Sequence, residues 1–237
     1  MRRGCETFGK GPDGATIGSV NAILAGASGL TGGHLARALS AAHVVALVRK
    51  QIPQLPAAVK QQPCDFSRLD GLATQPADSV FCALGTTIAK AGSREAFRLV
   101  DYDAVLALGR YGRRCGARQF LLVSSVGASP GSSYFYLRVK GEVERDLAGL
   151  GYEALQIFRP SFLLGERGER RLGESIGVVA VKLIGPALMG PLAQYRGIDA
   201  ATVARAMAAV SNDAAARTGV HVYRYRDIVA LASFANQ

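Results

Sequence analysis

Tyr136 and Lys140 stand four positions apart in a stretch, 133–150, whose pattern predicts a helix, so the phenol and the ammonium share one helix face. A phenol with a pKa of about 10 is a poor acid–base at neutral pH, and a nearby cation lowers that value by favouring the phenolate. Lys140 is placed to do this and also to hydrogen-bond the ribose hydroxyls of a nicotinamide nucleotide. The preceding predicted strand, 120–123, ends in Ser124-Ser125-Val126-Gly127, and a serine there can hold a carbonyl oxygen beside the tyrosine. Together these groups suit proton donation to a carbonyl during hydride transfer. The tyrosine–lysine spacing alone is common in helices and gains meaning only from its surroundings.

Those surroundings begin at GASGLTGG, directly after the predicted strand 20–25. Gly26, Gly29 and Gly32, with Ser28, Leu30 and Thr31 between them, make a strand–turn–helix in which bare backbone can approach a pyrophosphate at a helix N-terminus. A purely structural turn is the competing reading. The next strand, 44–48, runs into Arg49 and Lys50, where an NAD site carries an acid; basic residues suit the 2′-phosphate of NADP(H). Asp65 and Phe66, past a weaker strand at 60–64, stand where adenine would lie, and Leu84, Gly85 and Thr86 let backbone pass close to the cofactor. Pro160 and Ser161, after the strand 154–158, complete with Tyr136 and Lys140 the expected cofactor-binding set.

The elements that must position these residues alternate along the chain. Predicted strands at 20–25, 44–48, 60–64, 80–84, 120–123, 154–158 and a short 220–223 are separated by predicted helices at 32–40, 94–114, 133–150, 175–184 and 200–210. Such alternation implies an α/β doubly wound parallel sheet, a Rossmann fold. The 237 residues divide into a loose tail (1–16) and one domain (17–237), of which 160–237 supplies most of a small substrate-side cap. Hydrophobic residues at 49% and charged residues at 19% exclude wholesale disorder.

The net charge of +10 invites a nucleic-acid reading, but the basic residues are scattered and not interleaved with aromatics, so a nucleic-acid partner is not expected. Cys5, Cys64, Cys82 and Cys115 show no paired spacing and read as reduced thiols; the isolated histidines (His34, His43 and His221) argue against a metal site. The N-terminus lacks the apolar core of a secretory leader, and the apolar run 176–189, broken by Lys182 and Pro186, is too short to span a bilayer. A cytoplasmic location is therefore expected.

On the substrate side, the charged loop GERGERRLGE (165–174) suggests a lid or a partner contact. Ile176, Val179 and Leu183 form either an apolar substrate wall or plain core packing. Arg196 is a candidate contact for an anionic substrate, and Asp199 a candidate helix cap.

Taken together, GASGLTGG, FCALGTT, LLVSSVGA, YFYLRVKGEVE, IFRPSFLLGER and MGPL resemble the atypical short-chain dehydrogenase/reductases, and most closely the Tat-interacting-protein oxidoreductase-like branch. The resemblance covers nearly everything from Val20 onward. It implies NADP(H) and a Ser–Tyr–Lys group that falls on Ser125, Tyr136 and Lys140, the second serine of the pair being the usual one. It also implies a possible homodimer through the helices at 94–114 and 133–150. One departure is plain: many relatives place a proton-relaying asparagine on the helix before the serine strand, and this chain has none between Asn21 and Asn212. Either water and backbone complete the relay or turnover is slow. The expected function is NADPH-dependent reduction of a small-molecule carbonyl substrate. The alternative is an NADP(H)-sensing regulatory module that contacts a protein partner through the basic segment 165–171.

Overall fold

The structure, a computed structural model, describes residues 21–39, 42–165, 194–213 and 217–234. Its main sheet has seven parallel strands: β1 Asn21–Ala25, β2 His43–Val48, β3 Lys60–Pro63, β4 Ser79–Cys82, β5 Gln119–Val123, β6 Ala154–Phe158 and, further along the chain, β9 Gly219–Tyr223. They lie in the order β3-β2-β1-β4-β5-β6-β9, all parallel. The order reverses between β1 and β4, the crevice where open α/β sheets bind ligands. A separate pair of two-residue strands, β7 Leu163–Leu164 and β8 Ile198–Asp199, ties the segment after β6 to the start of a later helix.

The central strands are covered on both faces, and β4, β5 and β6 are buried at every position, whereas the edge strands β3 (KQQP) and β9 are largely open. In β1, Leu24 faces one core with Leu35, Phe81, Leu121 and Met207, while Ile23 faces the other with Val80, Leu108, Tyr111 and Phe120. Helix α1 (Leu30–Ala38) belongs to the first layer, together with α6 (Ala200–Asn212) and α7 (Tyr225–Phe234). The second layer contains α4 (Ala104–Arg114) and α5 (Phe135–Ala148). Two short helices, α2 (Ile88–Ala91) and α3 (Arg94–Arg98), lie between β4 and α4.

Several elements differ from the sequence expectation. The single helix expected over 94–114 is α3 and α4 joined through one π-helical turn, Leu99–Asp103, which places an extra residue between them. Helix α7 was not anticipated, nor were the short 3₁₀ turn Phe66–Gly71 and the β7–β8 pair. Asp199 does precede α6 at its N-cap, but its side chain makes no capping bond. Of the C-terminal third, β9 extends the main sheet and α6 packs on α1. Residues 1–16, the basic segment 165–174 beyond Gly165, and the helix expected at 175–184 lie outside the described residues. No helix among the described residues is long and apolar enough to cross a membrane.

Candidate active site

The β1–α1 turn is built around two glycines that tolerate no side chain. Gly26 has φ +88°, and a Cβ on it would stand 2.3 Å from the Ala83 carbonyl oxygen past the end of β4. A Cβ on Gly32 would lie 2.0 Å from the carbonyl oxygen of Gly26, so the first turn of α1 sits directly on the loop. Gly29 is the N-cap and offers no capping side chain, and the first turn carries no acid. The Thr31 hydroxyl is buried without a partner among the described residues. Uncapped N–H groups at a helix start, an unpartnered hydroxyl and a cradle that a Cβ would fill fit the pyrophosphate of a dinucleotide. Gly32→Ala is expected to cost about 1–3 kcal/mol through overpacking and to weaken dinucleotide binding; chemical denaturation and ligand titration check both. A cavity of about 870 Å³ opens beside this turn, lined by Ser28, Gly29 and Leu30, by Ile52 and Leu55 of the β2–β3 connection, and by Thr202 of α6.

The other expected cofactor residues also stand at strand C-termini, with varied local tasks. Arg49 and Lys50 follow β2 and are exposed. Asp65 caps the 3₁₀ turn, accepting from the Ser67 amide at 2.9 Å and its hydroxyl at 2.8 Å, and Phe66 packs against the second core. Leu84, Gly85 and Thr86 follow β4. Pro160 is buried and its carbonyl accepts from the Val126 amide at 2.9 Å, while the Ser161 hydroxyl donates to the Arg196 carbonyl.

Helix α5 carries Tyr136, Lys140 and Glu144 at successive four-residue steps, hence on one face. The half-buried Tyr136 packs its ring against buried Phe97 of α3, with centroids 5.6 Å apart. Lys140 is 5% exposed, and its Nζ lies 2.8 Å from Oδ1 of Asp101, which is fully buried on the π-helical turn. Burial works to strip the Lys140 proton, but the Asp101 carboxylate and then Tyr136 outweigh it and raise its pKa above the ordinary lysine value. The stability contributed by that shift is present below the unfolded lysine pKa and is lost as pH rises through the folded one.

Glu144, next along the same face, settles which strand-end serine is committed elsewhere. The Ser124 hydroxyl donates to Glu144, and Arg159, just past β6, donates to both carboxylate oxygens, with Nε to Oε1 at 3.0 Å. The Ser124 amide meanwhile extends the ladder to the Phe158 carbonyl at 2.7 Å. Ser125 is half-buried, and among the described residues its hydroxyl has only a long 3.3 Å contact to the Val126 carbonyl.

The sequence reading missed Asp101, Glu144 and Arg159. Glu144 was recoverable as the next acid at helical spacing after Lys140. Asp101 stands on the helical segment before the serine strand, where an asparagine was sought; a carboxylate there carried no local signal.

No family model matches the chain. It is 39% identical to "Protein FMP52, mitochondrial" of Eremothecium gossypii over 173 residues, 70% of this chain and 77% of the relative. To "Protein HTATIP2" of Rattus norvegicus it is 42% identical over 151 residues, 63% of this chain and 60% of the relative. Among solved structures, an epimerase of Methanothermobacter thermautotrophicus matches with TM-score 0.67 at 17% identity, over 93% of this chain and 77% of its own. MoeE5 in complex with UDP-glucose and NAD matches with TM-score 0.62 at 16% identity, over 90% and 81%. At such identity these structures speak for the fold alone. The sequence relatives overturn the cytoplasmic expectation, because the FMP52 proteins of Eremothecium gossypii, Saccharomyces cerevisiae and Aspergillus clavatus are designated mitochondrial. That expectation rested on the apolar patterning of the sequence, which does not bear on delivery to this organelle. The glycine turn and the α5 face thus sit on a chain that is 39% identical to FMP52 across 77% of that protein, and it belongs with FMP52 and HTATIP2 to the NAD(P)-binding atypical short-chain dehydrogenase/reductase family.

Proposed function

We propose that the chain is an NADP(H)-dependent oxidoreductase acting on a small carbonyl compound or the corresponding alcohol. The observation that carries this reading is the α5 face, where Tyr136 stands one turn from a buried, charged Lys140. When bound, the dinucleotide supplies or accepts the hydride at the substrate carbon. Tyr136 donates the proton to the carbonyl oxygen, and in the reverse direction its phenolate takes that proton back. Lys140, held as an ammonium one helical turn from the phenol, binds ribose hydroxyls. Ser125, whose neighbour Ser124 is engaged by Glu144, donates a hydrogen bond to the substrate oxygen and orients it.

NADP(H) over NAD(H) is supported by Arg49 and Lys50, exposed at the end of β2 where a 2′-phosphate would lie. Calorimetric titration tests the cofactor reading, and NADPH oxidation against a panel of aldehydes and ketones tests the reaction. NADPH is expected to bind more tightly than NADH. Arg49→Ala is expected to weaken NADPH by about 10–100-fold, the worth of one charge-assisted contact, while leaving NADH nearly unchanged. Equal loss for both nucleotides overturns the preference, and no binding of either overturns the oxidoreductase reading.

A further inference from the structure

We infer that Asp101 is a positioning residue that keeps Lys140 charged and ties it to the β4–α2 loop, so that the acid–base helix and the loop at the cofactor crevice are set by one carboxylate. The inference rests on the role proposed above for Lys140. Both Asp101 oxygens are engaged: Oδ1 lies 2.8 Å from Lys140 Nζ, and Oδ2 accepts from the Thr86 amide at 2.8 Å. Gly85, next to Thr86, lies against the pair, since a Cβ there would stand 3.4 Å from Oδ1 and 3.7 Å from Nζ. The π-helical turn carries this side chain inward, and Asp101 is fully buried there.

The charge on Lys140 needs such a partner. An ammonium this deeply buried gives up its proton unless an anion faces it. Asp101 from the π-helical turn, Tyr136 from its own helix and Cys82 from β4 act on Lys140, while the Glu144 carboxylate, next on the same face, is held by Ser124 and Arg159. Burial pushes the Cys82 thiol up to about 12, which keeps it neutral near pH 7. Asp101 is thus the carboxylate of the set. Without it, Lys140 would become a neutral amine, with no charge left to act on the Tyr136 phenol.

The test uses the intact chain with isotope-labelled lysine, following the Lys140 side chain by NMR against pH and assigning its signal by its loss in Lys140→Arg. Asp101→Asn keeps an oxygen able to accept from the Thr86 amide and removes the charge. It is expected to lower the proton affinity of Lys140 by more than tenfold while the Thr86 amide stays protected from hydrogen exchange. An unchanged Lys140 titration overturns the inference. If Asp101→Asn does not fold, Asp101→Ser supplies the same measurement, since it also keeps an oxygen and removes the charge, and an unchanged Lys140 titration overturns the inference equally. Neither readout needs cofactor or turnover, so failure here is distinct from failure of the oxidoreductase reading, which would show as no binding of either nucleotide.

Discussion

Tyr136→Phe is expected to lower kcat for carbonyl reduction by about a hundred- to ten-thousand-fold, the span of a positioned general acid. It should leave NADPH affinity within a factor of about three, well under the tenfold that 1.4 kcal/mol represents. The asymmetry follows from what the substitution removes. The phenylalanine ring keeps the packing against Phe97, whose centroid lies 5.6 Å away, so the start of α5 stays docked on α3. Lys140 keeps Asp101 at 2.8 Å and retains its charge. Only the hydroxyl that delivers the proton is lost. Steady-state NADPH oxidation and calorimetry on both proteins separate the two quantities, and a variant that retains more than a tenth of wild-type turnover excludes Tyr136 as the acid.

The largest stability effect is expected at Glu144. Glu144 and Arg159 are 6% and 20% exposed in their side chains, and Glu144 also accepts from Ser124. Glu144→Ala would leave the Arg159 guanidinium largely buried with no carboxylate, and removing one partner of a buried pair costs about 3–5 kcal/mol. For a chain of this size each kcal/mol lowers Tm by about 2–4 °C, so a fall on the order of 10 °C is expected in thermal denaturation. Replacing both partners together, as Glu144→Leu with Arg159→Met, should recover much of the loss, since the desolvation cost of the charges disappears with them. A single variant within about 1 kcal/mol of wild type would mean that solvent reaches Arg159 more freely than its burial indicates. Glu144→Ala also releases the Ser124 hydroxyl beside Ser125, so residual turnover should fall by more than the loss of folded protein accounts for.

The fold was legible because its determinants are local and repeated. A parallel strand covered on both faces must be apolar throughout, and the runs at β1, β2, β4, β5 and β6 stand within one or two residues of their predicted positions. Helix α7 escaped notice because a single residue, Arg224, separates it from β9, so no glycine or proline marks the boundary. The break between α3 and α4 escaped because a π-helical turn inserts one residue without altering composition.

The candidate site divides along the same line. The glycine turn and the tyrosine–lysine pair are set by spacing within one element, and spacing is what a sequence records. The chain by itself therefore determined a doubly wound sheet, a glycine turn after its first strand and a phenol and an ammonium on one face of α5. Tertiary structure alone decided that Asp101 meets Lys140 and Thr86, that Ser124 is held by Glu144 while Ser125 is not, and that Arg159 completes that network. These contacts join residues distant in sequence and exist only once β5, β6, α5 and the π-helical turn have packed. Burial then gives them their strength, because charges excluded from water must find one another.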